Sequence, residues 1–270
     1  MNVLTENLPM LLEGTGETLA MVFVSALFAY VIGLPLGVAL IVTDKNGLHP
    51  MRGVSAVLGW IVNIGRSIPF VILMLVISPL TRLIVGRAYG TTATIVPLVV
   101  AAAPFVARMV EQSLGEIDRG VVEAARTMGA TTFEIIWKVL LPESVPSLIR
   151  GAAVTVITLV GYSAMAGALG GGGLGGVITQ AIRISNMPLI LAATGVLMVI
   201  AVVLDLVMSW FEGQMRKSKG GSKKMWIPVA AIVVAFCLLL PYGRGGTGDI
   251  LLYDGDYSET QLMHHMVKML

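Results

Sequence analysis

The residues with the most chemical content lie between positions 123 and 142, in the stretch EAARTMGATTFEIIWKVLLP. What they offer is recognition rather than catalysis. Glu123 presents a carboxylate that a basic or amide-lined cleft could accept, and Ala124 and Ala125 are small enough to let a partner approach closely. The stretch up to Met128 is built of good helix formers, and Gly129 stands where a left-handed residue would close that helix. Thr131 and Glu134 have capping-box spacing for a second helix. Trp137, Leu140 and Leu141 would form its apolar face, and Pro142 is expected to end it. The plain alternative is an amphipathic loop lying on a membrane surface.

Nothing in the chain forms a catalytic constellation. Its three histidines are His49, His264 and His265; the last two are adjacent and would not share a helix face, which argues against a metal site. The single cysteine, Cys237, excludes an intrachain disulfide framework and any multi-cysteine metal site. No G-x-x-x-x-G-K-[ST] pattern occurs, so the chain is not expected to bind ATP itself.

A second cluster of interest runs from Gly161 through Tyr162, Ser163 and Met165 to Ala168. Its small residues allow close helix contact, including a two-fold contact between identical subunits, and would leave room for a solute. Met165 is the bulky, flexible side chain between Ala164 and Ala168, and a methionine can plug a narrow opening and swing aside with little strain. Tyr162, Ser163 and Met165 are therefore candidates for a translocation path and gate; ordinary packing is the competing reading. Gly170 to Gly173 should turn tightly near the outer surface.

The elements that must position these residues are membrane helices. The 270 residues are 56% hydrophobic and 13% charged, against about 25% charged in a soluble domain. Long uncharged runs at 18–43, 88–107, 151–182 and 184–204 can each hold a span of about 20 residues. A fifth run, 53–81, is interrupted by Arg66, and a sixth, 225–242, follows a basic cluster. Period-2 alternation is missing, so a helical bundle is favoured over a barrel. Arg66 precedes Ser67-Ile68-Pro69, where the helix is expected to kink; it either snorkels to the interface or serves the pathway.

Charge sets the expected orientation. Residues 1–17 carry Glu6, Glu13 and Glu17 but no lysine or arginine, which places the N-terminus outside. Alternation then puts twelve Lys and Arg inside and five outside, following the positive-inside tendency and leaving 108–150 cytoplasmic.

The spacing of Glu123-Ala124-Ala125, Gly129, Leu141 and Pro142 resembles the EAA signature of membrane-spanning permease subunits of bacterial ATP-binding-cassette (ABC) importers. Together with Arg66–Phe70 and the runs 102–111 and 159–165, it looks most like the methionine-uptake permeases over roughly residues 10 to 215. The resemblance implies an all-α integral membrane fold, a five-helix permease bundle at 8–216, to which this chain adds a sixth helix. It implies a homodimer in the cytoplasmic membrane with two copies of a soluble ABC ATPase, which would bind ATP and magnesium. It also implies an extracytoplasmic binding protein that delivers methionine, and alternating access as the mechanism. Membrane lipid is the surrounding partner, and no nucleic acid is expected.

Beyond that body, 217–224 reads as a flexible cytoplasmic linker, 225–242 as the extra transmembrane helix and 243–270 as an extracytoplasmic tail. The tail, with YDGDYSETQ at 253–261, loosely resembles the start of binding proteins for glycine betaine and related quaternary amines, suggesting part of a fused receptor. A betaine-type importer is thus the second reading. An ATP-independent channel or an interaction protein is the alternative of another class.

Overall fold

A computed structural model describes residues 7–217. The linker, the expected sixth helix and the tail lie outside the described residues. The chain is all-α there: α1 (Leu8–Thr43), α2 (Arg52–Ser67), α3 (Phe70–Val76), α4 (Ser78–Val85), α5 (Thr91–Gly115), α6 (Arg119–Thr127), α7 (Thr132–Glu134), a π-helical turn (Ile135–Leu140), α8 (Leu141–Ala168), α9 (Gly173–Arg183) and α10 (Met187–Lys217). Among the described residues four stretches are long and apolar enough to cross a membrane, and the pair α2 and α3, bent by 102° at its break, makes up to five when counted as one broken span. Five apolar passes agree with the expected five-helix body.

The bundle is held by α1 lying along α5. A Cβ added at Gly33 or Gly37 would come within 2.7 or 2.5 Å of Val106 or Val110, so the two backbones meet where side chains are absent. Ala103 and Ala107 complete the seam from α5, contributing carbonyl oxygens at the same close approach. Small residues four apart on both helices let van der Waals packing act where lipid supplies no hydrophobic drive. Met21, Val22, Leu98, Val106, Val110 and Leu159 are fully buried around this seam.

Two boundaries differ from the sequence reading. The first helix begins at Leu8, ten residues before the apolar run, because Leu11 packs against Leu174, Val177 and Ala181 of α9. The helix of the 151–182 run begins earlier, at Leu141, and it ends at the expected glycine turn, where Gly170 and Gly172 take positive φ of 82° and 77° and separate α8 from α9. Glu17 and Thr18 of α1 bind the start of α9, accepting from the Gly173 N–H at 2.7 Å and the Leu174 N–H at 2.9 Å. They satisfy donors that a helix leaves open at its first turn.

Candidate functional site: the exposed helix pair and the α8 face

Asp118 caps α6, its carboxylate accepting from the Gly120 N–H at 2.7 Å. The helix ends in a complete Schellman motif: the Gly129 N–H bonds to the Arg126 carbonyl at 2.9 Å and the Ala130 N–H to the Ala125 carbonyl at 3.1 Å. Gly129 sits at φ 82°, the left-handed region in which a side chain is strained. The capping box forms as its spacing predicts. The Glu134 N–H donates to the Thr131 hydroxyl at 3.3 Å, and the Thr131 N–H to the Glu134 carboxylate at 3.1 Å. This carboxylate precedes the apolar stretch of α8, and its pKa is held down to about 2, first by the Lys138 hydrogen bond and then by Thr131.

Glu123 and Ala124 are exposed on α6, but Ala125 is 4% exposed and belongs to the chain's own core. Ala125 thus corrects the reading that both alanines face a partner: its small size lets α6 pack, and Ala124 alone is open. Leu140 is likewise buried, and Leu141 is half-buried against the core, leaving Trp137 as the exposed member of the expected apolar face.

Pro142 does not end the second helix. It lies in the first turn of α8, and the helical path continues unbroken from Thr132 to Ala168. A proline lacks an N–H and clashes with the carbonyl four residues back. Here the preceding turn is widened to π geometry, with the Leu141 N–H bonded to Ile136, five residues back, which takes up that conflict.

The sequence reading missed how the segment is fixed and that Met128 and Phe133 join Trp137 on its exposed side. Arg126 donates to the Leu48 carbonyl at 2.8 Å, tying α6 to the α1–α2 loop. Ser147 reaches Glu116 at 2.9 Å, and Arg150 pairs with Glu212 of α10 at 2.6 Å. Exposed contacts of this kind are screened by solvent, so they orient more than they stabilise. Met128, Phe133 and Trp137 are 81%, 68% and 53% exposed, and the Phe133 and Trp137 rings meet at 5.9 Å. Their apolar type in a polar loop was the available signal.

The three gate candidates do not share an environment. Tyr162 stacks on Phe70 of α3, with ring centroids 4.7 Å apart and planes within 4°. Ser163 is 1% exposed and donates to the Val160 carbonyl at 2.8 Å, so its hydroxyl is spent within α8. Met165 is 50% exposed, on a face that also carries the exposed Gly161 and Ala168. Among the described residues no group of three or more His, Cys, Asp and Glu could hold a metal ion.

This arrangement is a set of apolar passes with one exposed, rigidly capped helix pair, and residues 29–217 match the family described as binding-protein-dependent transport system inner membrane component. The chain belongs to this family. The permease is 52% identical over 171 residues to the probable D-methionine transport system permease protein MetI of Vibrio cholerae, covering 63% of this chain and 76% of that one. It is 54% identical over 158 residues to the D-methionine permease protein MetI of Escherichia coli K12, covering 58% and 73%. A solved structure of the MetNI methionine ABC transporter in inward facing conformations matches with a TM-score of 0.75 at 46% identity, over 77% of this chain and 98% of that one. An amino acid ABC transporter crystallised with histidines matches at TM-score 0.67 and 17% identity, covering 78% of this chain and 97% of that one, which speaks for the fold alone.

Proposed function

We propose that this permease moves methionine across the cytoplasmic membrane as a homodimer driven by two copies of an ABC ATPase. The observation that carries the substrate is the identity of about half of all aligned residues with proteins named D-methionine permeases. ATP and magnesium belong to the ATPase, and an extracytoplasmic binding protein delivers the solute. The tail's likeness to betaine receptors is the one feature favouring another zwitterion.

The α6–α7 pair docks into the ATPase. Glu123 and Ala124 form the polar, low-profile part of the surface, and Met128, Phe133 and Trp137 supply apolar area. Ala125, Leu141 and Pro142 act from within, holding the pair at a fixed angle to α8. Because the helical path runs without a break from Thr132 into α8, a push on the pair is passed to the face that carries Met165. That face, with Tyr162 behind it, is the proposed gate at the dimer axis, and Ser163 keeps its backbone turn in shape. Vesicles holding this chain, its ATPase and its binding protein should take up labelled L- or D-methionine only with ATP inside. Uptake of glycine betaine in place of methionine would reassign the substrate, and equal uptake without ATP would favour a channel.

A further inference from the structure

Seven of the ten residues from 167 to 176 are glycine, a composition that would suit a loose hinge between α8 and α9. The structure spends that freedom on close approach instead. The two helices touch backbone to backbone at Gly167 and Gly175, where a Cβ on the first would collide with the second. A Cβ at Gly175 would lie 2.5 Å from the Ala164 carbonyl oxygen, and one at Gly171 would lie 2.7 Å from the Thr94 hydroxyl of α5. The polar groups of the turn are tied to two other helices. At the start of α5 the Gly90 N–H donates to the Gly170 carbonyl at 2.9 Å, and the Thr94 hydroxyl to the Gly171 carbonyl at 3.3 Å. From α1, Glu17 and Thr18 accept the first N–H groups of α9.

Glu17 is the charged member of this set. α9 brings no cap of its own, since Gly172 before it has no side chain, and the Glu17 carboxylate supplies one from 156 residues away. The partial positive charge at a helix start favours a carboxylate there. Gly172 leaves the room for it: a Cβ at that position would come within 3.1 Å of the Glu17 carboxylate and 2.8 Å of the Thr91 hydroxyl. Glu17 is half-buried and forms no ion pair among the described residues, so its carboxylate is committed to the α9 backbone. Met165 lies between Ala164 and Gly167, the two points at which α9 presses on α8. The end of α8 that carries it is therefore fixed to α1, α5 and α9 together.

We infer that Glu17 is a positioning residue for the gate: its carboxylate clamps the α8–α9 turn to α1, so that a push along α8 moves Met165 instead of bending the glycines. This rests on the reading of Met165 as the gate. The test uses the full complex in proteoliposomes and reads amide exchange over 170–176 together with solute moved per ATP hydrolysed. In Glu17→Ala the Gly173 and Leu174 amides should exchange about tenfold faster, the loss expected for a hydrogen bond to a charged group. Solute moved per ATP should fall roughly threefold or more, as coupling changes of this size do, with hydrolysis near wild type. Glu17→Gln keeps an acceptor oxygen for the Gly173 N–H and should restore most of both. Wild-type exchange in Glu17→Ala would overturn the clamp, and faster exchange with an unchanged ratio would overturn its role in transport. Equal loss of hydrolysis, uptake and thermal stability in both variants would also overturn that role, marking Glu17 as scaffold. Failure of the gate reading itself shows separately, as a Met165→Ala protein without added leak, and amide exchange then still decides the clamp.

Discussion

Single positions carry two separable kinds of constraint, backbone shape and side-chain exposure. Gly129 is of the first kind: its φ of 82° closes α6, and open space surrounds it, so only backbone strain opposes a side chain there. Gly129→Val should cost on the order of 1–3 kcal/mol locally, unwinding the last turn of α6 without disturbing membrane insertion. ATP-dependent uptake should be abolished, with normal amounts of protein recovered from membranes. Met165 is of the second kind. With half its surface exposed in one chain, Met165→Ala should change thermal stability within about 0.5 kcal/mol, as surface substitutions do, while raising passive leak of small solutes. A buried methionine would instead lose about 2–5 kcal/mol. Lost melting temperature without added leak would remove Met165 from the gate.

At the scale of elements, helix ends were legible in the sequence because caps are local. Gly129 and the Thr131–Glu134 box depend on neighbours within six residues, and both formed as spaced. What depends on remote partners was not legible. Ala125 is turned inward by the core, α1 is lengthened by α9, and Pro142 is carried inside a continuous helix by a π turn that no motif announces. Nor does the spacing of Gly33 and Gly37 say that α5 is what meets them. That seam gives a direct test: Gly37→Leu places a Cβ 2.5 Å from Val110 and overpacks the bundle by about 1–3 kcal/mol or more. It should lower the melting temperature of the detergent-purified protein. An equal loss should not follow Gly161→Leu, where a Cβ meets nothing within 4 Å. Equal melting temperatures for the two variants would discount the α1–α5 contact.

For the whole molecule, the distribution of charge predicts an orientation that labelling can test. A cysteine at Thr247 should react with an impermeant thiol reagent from outside intact cells, and one at Gly221 should not, because the lysine cluster at 217–224 is expected to keep that end inside. The reverse pattern would remove the six-pass arrangement. The same expected orientation would put α6 and α7 in the cytoplasm, where the proposed ATPase would reach them, and under the proposed mechanism the continuous path from Thr132 into α8 would join docking to opening. The central claim is that this contact drives transport. Its most direct measurement is ATP-dependent methionine uptake by vesicles carrying Glu123→Lys, set beside wild type at equal membrane insertion. Glu123 is exposed, and among the described residues its carboxylate makes no hydrogen bond or ion pair, so reversing its charge should leave the fold alone and alter the proposed docking surface. Uptake should fall to the level seen without ATP. Normal ATP-dependent uptake by that variant would contradict the account.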